Sequence, residues 1–243
     1  MESIFLRNEM LWGAEAQQRL QNSHVILFGL GGVGSYAAEC LARSGIGELT
    51  VVDNDSVSVT NRNRQLEALS STVGQKKTDA VAARLLDINP GLHLHPIDET
   101  YDAAHRGIFF PDGCRYDYIA DAIDLVSCKL DLAETALRLG IPMIMSLGTG
   151  NKLDPTLLQV TDISKTYGCP LARVMRKELR VRGIYHLPVI FSPEEPHSAA
   201  QLESPPPGRR SVPASSPWVP AAAGLLLGSV IVRDLIQNYE TKT

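Results

Sequence analysis

Six residues, Gly29-Leu30-Gly31-Gly32-Val33-Gly34, come directly after the apolar run Val25-Ile26-Leu27-Phe28 and precede a stretch compatible with a helix. In such a turn the first glycine permits the tight bend. The second lets backbone approach a phosphate, and the third lets the helix pack close to the strand. The helix then offers free N–H groups and a partial positive charge to an anion. Asp53 closes the next apolar run, Leu49-Thr50-Val51-Val52, where a carboxylate can accept from ribose hydroxyls. These residues alone specify a nucleotide, most commonly a dinucleotide, so an NAD-dependent oxidoreductase is one reading. The segments downstream of Asp53 shift it. Asn61-Arg62-Asn63-Arg64-Gln65 and Gly74-Gln75-Lys76-Lys77 add fixed cations beyond the ribose acid, chiefly Arg64 and Lys77. The glycine turn and helix dipole already satisfy a dinucleotide's diester charges. A triphosphate carries about twice that charge and calls for cations and usually a metal. Asp121 and Asp124 close the segment Tyr116 to Asp124, at the strand edge where open parallel sheets bind ligands, and a carboxylate there suits Mg²⁺. For each there is a plainer reading. A lone arginine is usually a surface ion-pair partner, Lys76 and Lys77 could be a solvated helix start, and one of the two late aspartates could only cap the next helix. A cation at a helix N-terminus opposes the dipole, which a nearby polyphosphate would explain.

In combination these segments resemble the ubiquitin-activating-enzyme-like adenylating family, the ThiF/MoeB/HesA group. The pattern is a GxGGxG loop (Gly29, Gly31, Gly32, Gly34), an acid ending the second strand (Asp53, followed by Asp55), and an N-x-x-R-Q segment (Asn61, Arg64, Gln65). A lysine opening the next helix (Lys77) and a D-x-x-D strand end (Asp121 to Asp124) complete it. The loop alone is weak, but the five in order are specific. The resemblance implies ATP and Mg²⁺ as cofactors, with the metal-linked acid at Asp124 and with Arg64, Lys77 and Asp124 carrying the catalysis. Within the family the chain most resembles the tRNA threonylcarbamoyladenosine dehydratase subgroup. That likeness is carried by Val59 to Gln65, Asp87-Ile88-Asn89-Pro90, Val160 to Thr166 and Phe191 to Pro196, among others. It implies ATP-dependent cyclisation of a modified tRNA adenosine through an acyl-adenylate, with tRNA as partner. The alternative is adenylation of the C-terminus of a ubiquitin-like sulfur-carrier protein, with that carrier or a sulfur-transfer protein as partner. Several sulfur-carrier-activating relatives hold zinc through two C-x-x-C pairs. Cys40, Cys114, Cys128 and Cys169 form none, so no zinc is expected, and the six histidines show no metal spacing. Some relatives carry a thioester cysteine near the position of Cys169, although ring closure needs no thiol. The family is typically dimeric and sends an arginine of its N-terminal arm into the neighbouring ATP site, a role that would fall to Arg7 across a homodimer.

Positioning these groups takes alternating strands and helices. Residues 14–22, 34–43, 75–88 and 127–139 read as helices. Strands at 25–28, 49–52, 92–97 and 142–146 lie between them. This is an α/β chain with a Rossmann-like, mostly parallel sheet covered by helices. A single domain over 1–243 is expected, with an ATP-binding core over 1–150 and a small C-terminal extension over 151–243. The extension reads as strands at 156–162 and 187–191 and a helix at 170–182. A Pro- and Ser-rich flexible loop comes next at about 192–217, then a terminal apolar helix from 221 to 238. Hydrophobic content of 44% and charged content of 21% are ordinary for a globular domain. The net charge of −4 argues against binding nucleic acid through overall charge but leaves room for a local basic face. Arg173, Arg176, Lys177, Arg180 and Arg182 supply such a face, either for tRNA phosphates or as a solvated surface. The apolar stretch from Val219 to Val232 is interrupted by Pro220 and is short for a bilayer. A cytoplasmic protein away from membranes is the resulting expectation.

Overall fold

The structure, a computed structural model, describes residues 3–202, 204 and 212–237. Seven strands form one sheet: β1 (His24–Phe28), β2 (Glu48–Val52), β3 (His93–Ile97), β4 (Tyr118–Asp121), β5 (Met143–Ser146), β6 (Gln159–Asp162) and β7 (Pro188–Phe191). Their spatial order is β3-β2-β1-β4-β5-β7-β6. Every pair is parallel except β6 with β7. Strand order reverses between β1 and β4, and in open α/β sheets the crevice beyond such a switch point receives the ligand.

The helices are α1 (Leu6–Trp12), α2 (Ala14–Gln21), α3 (Gly34–Ser44), α4 (Lys77–Ile88), α5 (Arg106–Phe109), α6 (Val126–Leu139), α7 (Pro170–Val181) and α8 (Trp218–Gln237). Alternate residues of β1 face opposite layers, as the strand period of two requires. Val25 and Leu27 pack with Leu41 of α3, Val81 of α4 and Leu227 of α8. Ile26 and Phe28 pack with Phe109, with Leu132 of α6 and with Met175 of α7.

Three expected elements differ. The segment expected as a strand from 156 opens as a 3₁₀ turn, Pro155–Leu157. The Asp154 carboxylate starts it by accepting from Thr156 N at 2.8 Å, and the strand begins only at Gln159. The terminal helix starts at Trp218 rather than 221, because Pro220 falls in the first turn, where an N–H has no intrahelical acceptor. Its expected last residue, 238, lies outside the described residues. The loop expected to be flexible at 192–217 is, where described, tied down. Asn151, in the left-handed region at φ 58°, accepts from Ala214 N on Oδ1 (2.8 Å) and from His197 N on its carbonyl (2.8 Å), and donates its own N–H to Ala214 O (2.7 Å). Ser215 O also accepts from Asn63 Nδ2 at 3.0 Å. Residues 203 and 205–211 of that expectation lie outside the described residues.

By length and composition α8 could cross a bilayer, with mean hydropathy 1.7, but half of it is buried in this chain. Gly224 and Gly228 let it lie directly on α3. A Cβ at Gly224 would come 2.2 Å from Val33 O, and one at Gly228 would come 2.7 Å from Cys40 Sγ.

Candidate active site

The glycine turn bends off β1 where β2 and β4 flank it. Gly29 has φ 88°, and a Cβ there would meet Ala122 O at 2.7 Å. Gly34 is tighter still, with a Cβ position 1.7 Å from Gly29 O. Gly34 therefore does not line the cavity. The sequence pattern groups it with the cofactor-binding glycines, but its work is to let α3 close onto the turn. Gly31 is the open position, with only Gln65 Nε2 at 3.7 Å from a would-be Cβ, so backbone there is accessible to a ligand. The N-cap residue of α3, Val33, gives no side-chain cap, and Ser35 N in the first turn donates to Gly31 O at 3.0 Å.

Asp53 closes β2 and accepts from Leu30 N at 2.7 Å and Asp55 N at 2.9 Å. Its carboxylate braces the glycine turn. A carboxylate has about four acceptor directions, so ribose hydroxyls can still be received. Lys77, the first residue of α4, is buried and paired with Asp55 at 2.7 Å and Asp53 at 3.7 Å. The cation at this helix N-terminus is thus balanced by carboxylates of the chain itself, not left for a polyphosphate alone. Lys76 pairs with Asp98 at 3.0 Å. Asn61 Oδ1 accepts from Ser58 N, closing a capping box over the 3₁₀ turn Val59–Asn61, and so fixes the segment that carries Arg64. Arg64 donates from Nη1 to Thr60 O and Asn63 Oδ1, each at 3.0 Å. Gln65 is buried beside Gly31, and its Oε1 has no partner in the structure. An orphaned buried acceptor at the turn suits a ligand that donates, such as a nucleotide. Behind it Glu67 is buried, with neither carboxylate oxygen partnered. Burial pushes its carboxyl up to about 7.

The two late aspartates separate cleanly. Asp121 is fully buried, takes Ile123 N on Oδ1 at 2.9 Å and pairs with Lys129 Nζ at 3.1 Å. Burial pushes its carboxyl up, while Lys129 and the Ile123 N–H pull it back. Lys129 also donates to Ser146 O at 2.7 Å and so joins β4 to β5. Asp124 stands three residues past the strand, at the cavity wall. Asp121 does not cap α6, whose N-cap residue is Leu125; its carboxylate takes Ile123 N ahead of the helix and Lys129 from within it.

A cavity of about 810 Å³ runs from the glycine turn to the start of α7. Gly29, Gly31, Gly32, Asp53 and Asp55 line one end, together with Asn61, Arg64, Gln65 and Lys77. Thr149, Lys152, Cys169 and Pro170, by the start of α7, line the other end, and Asp124 also lines the cavity. Pro196, Pro213 and Ser215 of the tethered segment cover it. Lys129 and Lys152 are additions that the sequence reading missed. Lys129 sits among Cys128, Leu132, Ala133 and Ala136 on the buried face of α6, and a lysine in that apolar phase is a readable signal. Lys152 is buried, donates to Ser192 O at 2.6 Å, and is pushed down by burial. Cys169 is buried at the N-cap of α7.

On α7, Arg173, Lys177 and Arg180 are exposed at helical spacing and form one stripe. The other two cations of that run are engaged within the chain. Arg176 donates to Thr166 O and Oγ1, both at 2.5 Å, and Arg182 pairs with Glu178 at 3.0 Å. Arg7 is exposed on α1 and does not line the cavity of its own chain. The arm is helical and anchored by Asn8 Nδ2 to Arg43 O at 2.8 Å.

A model of the ThiF family matches residues 5–239. A tRNA threonylcarbamoyladenosine dehydratase of Bacillus subtilis is 43% identical over 98% of this chain and 96% of its own. The crystal structure of an Escherichia coli tRNA N6-threonylcarbamoyladenosine dehydratase in complex with ATP superposes with TM-score 0.87, 33% identity, and coverage of 98% of this chain and 96% of that one. The same enzyme with AMP gives a TM-score of 0.86 at 32% identity.

Proposed function

The chain belongs to the ThiF family, and from that premise we propose that it is an ATP-dependent tRNA threonylcarbamoyladenosine dehydratase acting in the cytoplasm. The observation that carries the reading is one continuous cavity of about 810 Å³. It joins an anion-binding glycine turn to a second, lysine-bearing compartment, with room for a nucleotide and for the group it activates.

The threonyl carboxylate of the modified adenosine attacks the α-phosphorus of ATP. The bond to the β-phosphate oxygen breaks, and pyrophosphate leaves an acyl-adenylate. The neighbouring carbamoyl oxygen then attacks the activated carbonyl, closes the ring and expels AMP. The net change is loss of one water at the expense of ATP. Gly31, Gly32 and the first turn of α3 receive phosphate oxygens, and Asp53 receives ribose. Arg64 and Lys77 offset the charge that develops on the phosphates. Lys77 starts on Asp55, so the nucleotide competes with that carboxylate for the ammonium. Asp124 is the cavity carboxylate fitted to hold Mg²⁺, which when bound neutralises phosphate charge.

The exposed stripe of Arg173, Lys177 and Arg180, on the helix whose N-terminus lines the cavity, receives tRNA phosphates. Ile4, Leu6, Met10 and Leu11 expose apolar surface around Arg7. A homodimer that covers this arm would bring Arg7 to the partner's ATP. A carrier-protein substrate uses the same nucleotide end but has no need of a basic stripe. The deciding assay supplies ATP and tRNA bearing threonylcarbamoyladenosine, and tracks AMP together with the nucleoside mass. AMP formation coupled to loss of one water supports the reading. AMP formed only with a ubiquitin-like carrier refutes it. Asp124→Ala should lower turnover by about 100-fold or more with the fold intact, the scale of one removed electrostatic interaction.

A further inference from the structure

The sheet end opposite the glycine turn gathers three side chains that sequence spacing kept apart. His24 opens β1, Glu48 opens β2, and His95 lies in β3. These are three adjacent parallel strands. Register pairs His24 with Glu48 and Thr50 with His95. Since Glu48 and Thr50 share a face by the strand period of two, all three side chains rise on one face. His24 Nδ1 lies 3.5 Å from Glu48 Oε1, and His95 Nε2 lies 2.8 Å from the same oxygen. The three ligand atoms lie within 4.8 Å of one another.

Thr50 Oγ1 lies 2.9 Å from His24 Nε2, the ring nitrogen turned away from Glu48. A hydrogen bond on the distal ring nitrogen is how ligating imidazoles are oriented.

We propose that His24, Glu48 and His95 bind one borderline divalent transition-metal ion, of the Zn²⁺ or Co²⁺ class. Two imidazoles and a carboxylate select such ions over Mg²⁺ or Ca²⁺. An ion about 2.0–2.2 Å from each donor fits between ligand atoms spaced as these are, after a small turn of the Glu48 carboxylate. The half-exposed His95 leaves a coordination position to water. The ion would clasp three strands at their far end from the nucleotide, so its role is to hold the sheet and not to activate ATP. The absence of cysteine pairs speaks only against a thiolate zinc site.

Full-length protein stripped with a chelator is titrated with Zn²⁺ and, separately, with Co²⁺ in the absence of ATP, recording heat and Co²⁺ absorption. The expected result is one ion per chain and a Tm raised by Zn²⁺ but not by Mg²⁺. His95→Ala and Glu48→Gln should each weaken binding by about tenfold or more and abolish the Tm rise, since loss even of an outer-shell partner costs that much. His95 is exposed, so its variant keeps the fold, which circular dichroism checks. Asp124→Ala should bind Zn²⁺ like the parent. No saturable binding overturns the proposal. So does one-to-one binding that survives both variants, or binding lost with Asp124.

Discussion

Replacing Lys129 with Met tests the most deeply set ion pair among the described residues. Lys129 Nζ serves two buried acceptors, Asp121 Oδ2 at 3.1 Å and Ser146 O at 2.7 Å, and the two charged side chains are 1% and 0% exposed. Met keeps most of the lysine stem, so the volume term is small. What remains is a buried carboxylate held only by the Ile123 N–H and a carbonyl without its donor. Breaking a buried pair on one side costs about 3–5 kcal/mol. In a chain of this size each kcal/mol moves Tm by about 2–4 °C, so Tm should fall by about 6–20 °C. The assay is thermal and urea unfolding with an unchanged m-value. The deficit should also depend on pH. Without Lys129 the folded-state pKa of Asp121 lies far above its unfolded value. Relative to the parent, the variant keeps its stability below about pH 4 and loses it as pH rises through that folded pKa. Asp121→Asn combined with Lys129→Met should recover much of the loss, because no charge is then stranded. A single variant that unfolds within about 2 °C of the parent at neutral pH would refute the reasoning.

Glu67 should make the parent less stable as pH rises. Its carboxyl is raised from 4.5 to about 7 by burial, so its contribution is full below about pH 4 and lost through pH 7. Glu67→Gln should flatten stability between those values and gain up to about 3 kcal/mol at pH 8, read by urea unfolding at several pH values. Combined Arg173→Glu, Lys177→Glu and Arg180→Glu should weaken tRNA binding and reduce its salt slope by about one for each phosphate no longer neutralised, with ATP affinity unchanged. Equal tRNA affinity would return the stripe to a solvated face. Cys169→Ser should keep tRNA-dependent AMP formation, and loss of turnover with ATP still bound would favour a covalent sulfur step.

That Gly29, Asp53, Arg64 and Lys77 share one cavity was legible in the sequence because its parts are local. A strand, a glycine turn and a helix are contiguous, and Gly29, Asp53, Arg64 and Lys77 each lie close to the element that positions them. The division of labour between Asp121 and Asp124 was less legible. It depends on Lys129, which reaches Asp121 from α6, the next element along the chain. The second compartment was hidden for another reason. Lys152 and the tether at Asn151 act through backbone carbonyls and amides of a Pro- and Ser-rich stretch, whose composition says only that it lacks regular structure. The pairing of Lys77 with Asp55 was also out of reach, since proximity in sequence does not fix a rotamer. The cluster of His24, Glu48 and His95 exists only through strand register.

The packing of α8 on α3 orders events in time. Every other described element precedes α8 in the chain, yet Gly224 and Gly228 seat it against Val33 and Cys40, and Pro220 lies against the glycine turn, with a Cβ at Gly32 coming 3.1 Å from it. Tyr118, in the middle of the sheet, likewise waits for Asp234, to which its hydroxyl donates at 2.7 Å. On a ribosome that releases about 5–20 residues per second, the strands of the nucleotide fold emerge seconds before the helix that backs their phosphate turn. A nascent chain that still lacks α8 therefore holds the glycine turn without the Pro220 that lies against it.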